Sequence, residues 1–260
     1  MGRTRRSARR ASAAAVLTAA VLGGGLLGAA PAGAATRDYP CGAGTCTVRG
    51  AVLDKYDSLG AERSRLGPPV TSEALLPAGA FSVFRGGSIY WTPGTGAHVV
   101  EGRIRDRWGS LGWEGGVLGW PTTDEIPIRG GVVQKFTGGL VYFSPATGAR
   151  EVRGAILERY GATRNENGEL GYPVSGENTL PGGAFTEFQG GSIYWSPRTG
   201  AHVVKGFIRE WWVFGAGAEG GWLGYPRTGE YPVPGGVQQD FEGGQVRYIL
   251  GDDRIQFRRW

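Results

Sequence analysis

One unit recurs four times along this chain, opening at Gly50, Gly102, Gly154 and Gly206, each start 52 residues after the last. A fixed period of that size marks a repeat architecture, in which no unit buries its apolar face alone and neighbours must pack together. The units span 50–101, 102–153, 154–205 and 206–260 and form one domain over residues 48–260. Within this sequence they leave no second domain to carry chemistry.

Each unit opens with a short amphipathic run: AVLDKYD, RIRDRWG, AILERYG and FIREWWV. Val52/Tyr56, Ile104/Trp108, Ile156/Tyr160 and Ile208/Trp212 are four residues apart, so each pair shares one face of a helix. A helix this short holds only if that face is packed. A Gly-rich loop follows, then the blocks RLGPP (65–69), VLGWP (117–121), ELGYP (169–173) and WLGYP (222–226). The leucine anchors the block, the glycine opens backbone geometry barred to other residues, and the proline fixes the exit. Glu73, Glu125, Glu177 and Glu230 each stand six residues beyond that glycine, the last displaced by a one-residue insertion near 215–221. Farther on, Phe84, Phe136, Phe188 and Phe241 precede Gly-Gly pairs, and SIYW, LVYF, SIYW and QVRY follow them. Apolar runs flanking Gly-Gly predict a β-hairpin. A second turn into AHVV or AREV brings the expectation to about three short strands per unit.

Residues 1–35 lie outside the repeat. A basic start (MGRTRRSARR), an apolar stretch and the small-residue end Ala32-Gly33-Ala34 predict a secretory signal peptide, exported by the general or the twin-arginine route. The chain's formal charge is +5, and Arg3, Arg5, Arg6, Arg9 and Arg10 account for it. The remainder is near neutral and carries no basic domain, so no nucleic-acid partner is expected. No later apolar run approaches the ~20 residues of a membrane span. Cys41 and Cys46, the only cysteines, fall in the segment 36–47. In an exported chain so close a pair predicts a small disulfide loop acting as a terminal clip.

Catalytic patterns are weak. His98 and His202 are the only histidines and lie two periods apart, which fits packing on a repeated hairpin better than a general base or metal ligand. Ser88 and Ser192 recur in the same two copies, but there is no G-x-S-x-G elbow and no singular acid to complete a triad. The four repeat glutamates could pair for glycoside hydrolysis. A catalytic pair needs two dissimilar environments, however, and equivalent copies favour a structural or ligand-contacting role. No metal set or cofactor motif is found, and no metal, cofactor or catalytic residue is expected.

The aromatics are the better lead, with nine Trp and ten Tyr. Trp91, Trp195 and Phe143 share one repeat position; Trp120, Tyr172 and Tyr225 share another, where the first copy has Pro68. Flat rings beside Arg, Asp and Glu suit sugar faces and hydroxyls, although the ring after Leu-Gly is equally suited to the core. Trp113 and Trp222, in the Gly-rich loops, are expected to be the most exposed. The candidate ligand-binding set is Trp91, Trp195, Trp113, Trp222, Trp120, Tyr172, Tyr225, Glu73, Glu125, Glu177 and Glu230.

The L-G-aromatic-P block, the downstream glutamate, the F-x-G-G-x-I-Y-W run and the TGA turn together resemble LGFP repeats, a family of secreted and cell-envelope proteins of actinobacteria. The resemblance covers about residues 48–260. It implies a secreted or wall-associated location, a non-catalytic role and a cell-wall polysaccharide as partner. A secreted hydrolase on envelope esters or glycans, and a structural protein-interaction array, are the alternatives. The oligomeric state is open. The fold expected is α+β, four units in a compact propeller-like ring. Residues 46–49 match the last strand of a unit, which suggests that they complete the fourth unit, whose own last strand (254–257) looks degenerate, and so close the ring. An open array would instead need polar caps at both ends, which the sequence does not obviously supply.

Overall fold

The computed structural model of the chain describes residues 35–252 and 254–260. All of the expected leader except Ala35 lies outside the described residues. The described chain begins with a hairpin of β1 (Thr36–Cys41) and β2 (Gly44–Arg49), closed by a Cys41–Cys46 disulfide. Four copies of one helix and one four-stranded antiparallel sheet follow. The first is α1 (Gly50–Ser58) with β3 (Ala74–Leu76), β4 (Gly79–Phe84), β5 (Gly87–Thr92) and β6 (Gly96–Glu101). The second is α2 (Gly102–Ser110) with β7 (Ile126–Ile128), β8 (Gly131–Phe136), β9 (Gly139–Ser144) and β10 (Gly148–Val152). The third is α3 (Gly154–Ala162) with β11 (Asn178–Leu180), β12 (Gly183–Phe188), β13 (Gly191–Ser196) and β14 (Gly200–Val204). The fourth is α4 (Gly206–Gly215) with β15 (Tyr231–Val233), β16 (Gly236–Phe241), β17 (Gly244–Ile249) and β18 (Arg254–Arg259). Four strands therefore replace the expected three; the extra one is only three residues long and leaves little periodic signal.

The glycines that mark the period have a conformational reason. Gly50, Gly102, Gly154 and Gly206 hold φ between 51° and 55°, where the chain turns from strand into helix. A side chain there would clash with its own carbonyl, so glycine recurs. The helices have no side-chain N-cap bond and are 9 or 10 residues long, so packing must hold them.

Each helix lies between the sheet before it and the sheet of its own unit. In the first sheet Ile89, Trp91, Ala97 and Val99 turn toward α1, whereas Phe81, Tyr90 and Val100 turn toward α2. The junction repeats with the same ring geometry. Tyr90–Trp108, Tyr142–Tyr160 and Tyr194–Trp212 meet edge to face with centroids 4.6, 5.5 and 4.7 Å apart. The helix aromatic then bonds the Leu-Gly block of its own unit: Tyr56 Oη, Trp108 Nε1 and Tyr160 Oη donate to the carbonyls of Gly67, Gly119 and Gly171. Fully burying one such aliphatic or aromatic side chain contributes roughly 1.5–3 kcal/mol.

The expected ring closure does not occur. Residues 46–49 belong to β2, which pairs with β1, and the fold is not a closed propeller. The first hairpin instead supplies half of a missing preceding sheet. Tyr39 meets Tyr56 edge to face at 5.6 Å, as Tyr90 meets Trp108, and Val48 is buried like Val100, Val152 and Val204. The expected degeneracy of the last strand is also corrected, because β18 pairs with β17 at six positions. Its far face is polar. Gln238 and Arg247 stand where earlier sheets carry Phe81/Tyr90, Val133/Tyr142 and Phe185/Tyr194, and exposed Arg258 replaces the buried valine. Gln238 bonds Tyr231, Asp240 and Gln245 across this face. The caps whose absence favoured a ring are thus present at both ends.

Candidate functional site

The candidate aromatics fall into different environments. Tyr172 and Tyr225 are buried, and their hydroxyls donate to the carbonyls of Arg129 and Pro181 in the preceding unit, at 2.7 and 3.0 Å. They brace one unit against the last and turn no open ring face outward. Trp120 is half-buried in the cluster around Trp108, at the same place. Trp91 and Trp195 are half-buried over α1 and α3 in the cores of their own units. Trp113 packs edge to face on Trp108 at 5.3 Å under the Arg105 guanidinium, so it is half-buried rather than the most exposed.

The four glutamates share a structural place beside the residue preceding each helix. Glu73 accepts the Arg49 backbone N–H at 3.3 Å, Glu177 pairs with Arg153 at 2.5 Å, and Glu230 faces Lys205 at 4.0 Å. Glu125 is the exception, because that residue is Glu101, itself paired with Arg65 at 2.6 Å. Burial pushes all four carboxyls above their ordinary range. Glu101 pushes Glu125 the same way, whereas the basic partners of the other three oppose the rise. An open cleft of about 580 Å³ runs past Arg65, Glu101, Arg103, Glu125 and Phe143. The serines and histidines do not meet: Arg105 and Arg209 donate to Ser88 and Ser192, while His98 and His202 bond the carbonyls of Thr95 and Thr199.

The remaining candidate, Trp222, is likewise half-buried rather than among the most exposed, packed against the fourth-unit core, and stands in a group that the sequence did not single out. On α4, Phe207 stacks on Tyr248 at 4.6 Å, and Trp211, one turn on, stacks on Phe257 at 5.2 Å. Phe257 also meets Trp222 at 5.5 Å, and the Arg259 guanidinium lies over that indole at 4.4 Å. Trp260 donates its Nε1–H to the Phe241 carbonyl, which anchors the ring while leaving it 62% exposed. Phe207, Phe257 and Phe214 are 53, 56 and 85% exposed. In the first three units the position of Phe207 holds Ala51, Arg103 and Ala155, and that of Trp211 holds Lys55, Arg107 and Arg159. The position of Phe257 holds Val99, Glu151 and Val203. Of those residues, Lys55 and Glu151 reach into the next unit, where they bond Asp124 and the Glu177 N–H, while Val99 and Val203 pack in their own unit's core. The fourth unit has no successor among the described residues, and the same places form an aromatic strip, with Phe207 and Phe257 exposed and Trp211 half-buried between them and the core, bordered by Arg258 and Arg259.

The LGFP repeat model matches residues 66–116, 118–168 and 170–221, more than half of the chain. Each match runs from one Leu-Gly block through its sheet and the following helix to the next Gly-rich turn. The copy beginning at Leu223, which ends in the aromatic strip and has no following helix, lies outside the three matches. No curated protein matches the chain. The sandwiched helices, the Leu-Gly blocks that brace them and the three matched copies together place this chain in the LGFP repeat family.

Proposed function

We propose that this chain is a secreted, non-catalytic module that associates with the cell wall by stacking its fourth-unit aromatic strip on wall polysaccharide. The observation that carries the reading is the replacement of Lys/Arg and Val/Glu by Trp211 and Phe257 at the end of the array only. The exposed rings of Phe207, Phe257 and Trp260, beside Arg258 and Arg259, suit sugar faces, with the arginines left to bond hydroxyls. The half-buried Phe143, beside the Glu101–Arg65 pair in the second-unit cleft, offers a weaker second contact. Two weak contacts on one scaffold add through effective concentration. Co-sedimentation with insoluble wall, before and after chemical stripping of its polysaccharide, tests the proposal. Binding should disappear with the polysaccharide; retention on the stripped wall would indicate a protein or peptide partner.

A further inference from the structure

The helix cation that locks successive units has a carboxylate partner at two junctions and lacks one at the third. At the first, Lys55 donates to Asp124 Oδ2 at 2.6 Å, and Asp124 Oδ1 accepts the Val99 N–H at 2.9 Å, with His98 3.5 Å away. At the second, the place of Asp124 is Gly176, and Glu151 fills the gap. Arg107 clamps it at 2.6 and 2.9 Å, and the Glu177 N–H donates to it at 3.2 Å. A Cβ on Gly176 would lie 2.2 Å from Glu151 Oε1, so this carboxylate occupies the space of the missing side chain.

At the third junction the cation is Arg159, and both acid positions are lost, to Gly229 and Val203. Arg159 makes no ion pair among the described residues, and its buried Nε has no hydrogen-bond partner. A Cβ on Gly229 would meet only Arg159 Nη2, at 3.2 Å. His202 takes the place of His98 beside this gap, and burial, with the neighbouring Arg159 guanidinium acting the same way, holds its imidazole below its ordinary range. Val203 keeps the register of Val99: its carbonyl accepts from Gln239 as that of Val99 accepts from Gln134. Its N–H therefore points to the same side as the one Asp124 takes.

We infer that the recess between Arg159, Gly229 and the Val203 N–H is a binding site for a carboxylate group supplied by a ligand. The sister junctions define the chemistry, because a carboxylate oxygen pair fills the equivalent space in each. Arg159 is half-buried, but its Nε–H is shut away from water with no acceptor, which is costly, and a bidentate carboxylate gives the strongest neutralising contact available to it. The site is separate from the aromatic strip and does not depend on how that strip is read.

The test is titration of the labelled full chain, following the Arg159 Nε–H and His202 ring signals by NMR, with sodium glucuronate, N-acetylglutamate, neutral glucose and sodium chloride. Saturable shifts with either carboxylate and none with glucose or chloride are expected. A tighter response to glucuronate assigns the source to an acidic sugar; a tighter response to N-acetylglutamate assigns it to an acidic peptide. Gly229→Asp should copy the first junction and Val203→Glu the second, each weakening carboxylate binding at least about tenfold, the scale of one lost charge-assisted bond. Absence of saturation, equal response to chloride, or unchanged binding in both variants would overturn the inference.

Discussion

The third and fourth sheets share one topology, yet their far faces differ in kind. The third presents Phe185, Tyr194 and Val204 to a following helix; the fourth presents Gln238, Arg247 and Arg258, with no helix among the described residues to cover them. Along the edge of the helix the contrast reverses. Earlier units carry Lys55, Arg107 and Arg159 there, and the last carries Trp211. Positions that agree across the copies hold the fold, and positions where the fourth copy departs give it a polar sheet face and an aromatic helix edge.

The largest effect should come from abolishing the first contrast. Changing Gln238→Phe, Arg247→Tyr and Arg258→Val together would give the fourth sheet an uncovered docking face. Light scattering should then report concentration-dependent association well above that of the parent chain. Next in size, Trp108→Ala removes a fully buried ring from a repeated junction and should cost about 3–5 kcal/mol in denaturant unfolding. Phe214→Ala, at an exposed position where the other units carry Ser58, Ser110 and Ala162, should change stability by less than about 0.5 kcal/mol. Replacing Cys41 and Cys46 by Ala loosens the N-terminal cap and should cost about 2 kcal/mol, the loop-closure value for so short a ring.

The smallest effect depends on pH and contrasts Glu125 with its three relatives. A carboxyl whose folded pKa is raised contributes stability that is complete below its unfolded pKa and is lost as pH climbs through the folded value. Glu125, raised by burial and by Glu101, should therefore cost stability at neutral pH. Glu125→Gln should raise the melting temperature at pH 7 and leave it nearly unchanged at pH 4. Glu177→Gln should gain less or lose, because it strands Arg153.

Much of the scaffold was legible because its signals are local. The period, the glycines before each helix, the i,i+4 apolar pairs and the Gly-Gly hairpins all act within a few residues. Ring closure was misjudged because the partner of β2 is β1, whose run TRDYPC lacks a clear alternation. The three-residue strands such as Ala74–Leu76 are likewise too short for periodicity to register. At the site, the Gly-rich loop signals Trp222, while Phe207, Trp211 and Phe257 give no signal in a search for rings that recur between copies. The usable signal was the opposite: aromatic residues present in one copy at positions where three others carry small, charged or aliphatic ones. The unpaired Arg159 was hidden for another reason, since its missing partner lies 70 residues away at Gly229 and is visible only against the sister junctions.

Affinity of purified variants for insoluble wall polysaccharide tests most directly the claim that departures in the fourth unit form the binding surface. Phe207→Ala with Phe257→Ala, both more than half exposed, should weaken binding by at least about tenfold for the loss of two stacking rings, with little loss of stability, whereas Trp91→Ala should lower stability and leave affinity within about twofold. Full binding by the double variant, or its loss in Trp91→Ala while the chain remains folded, would contradict the account.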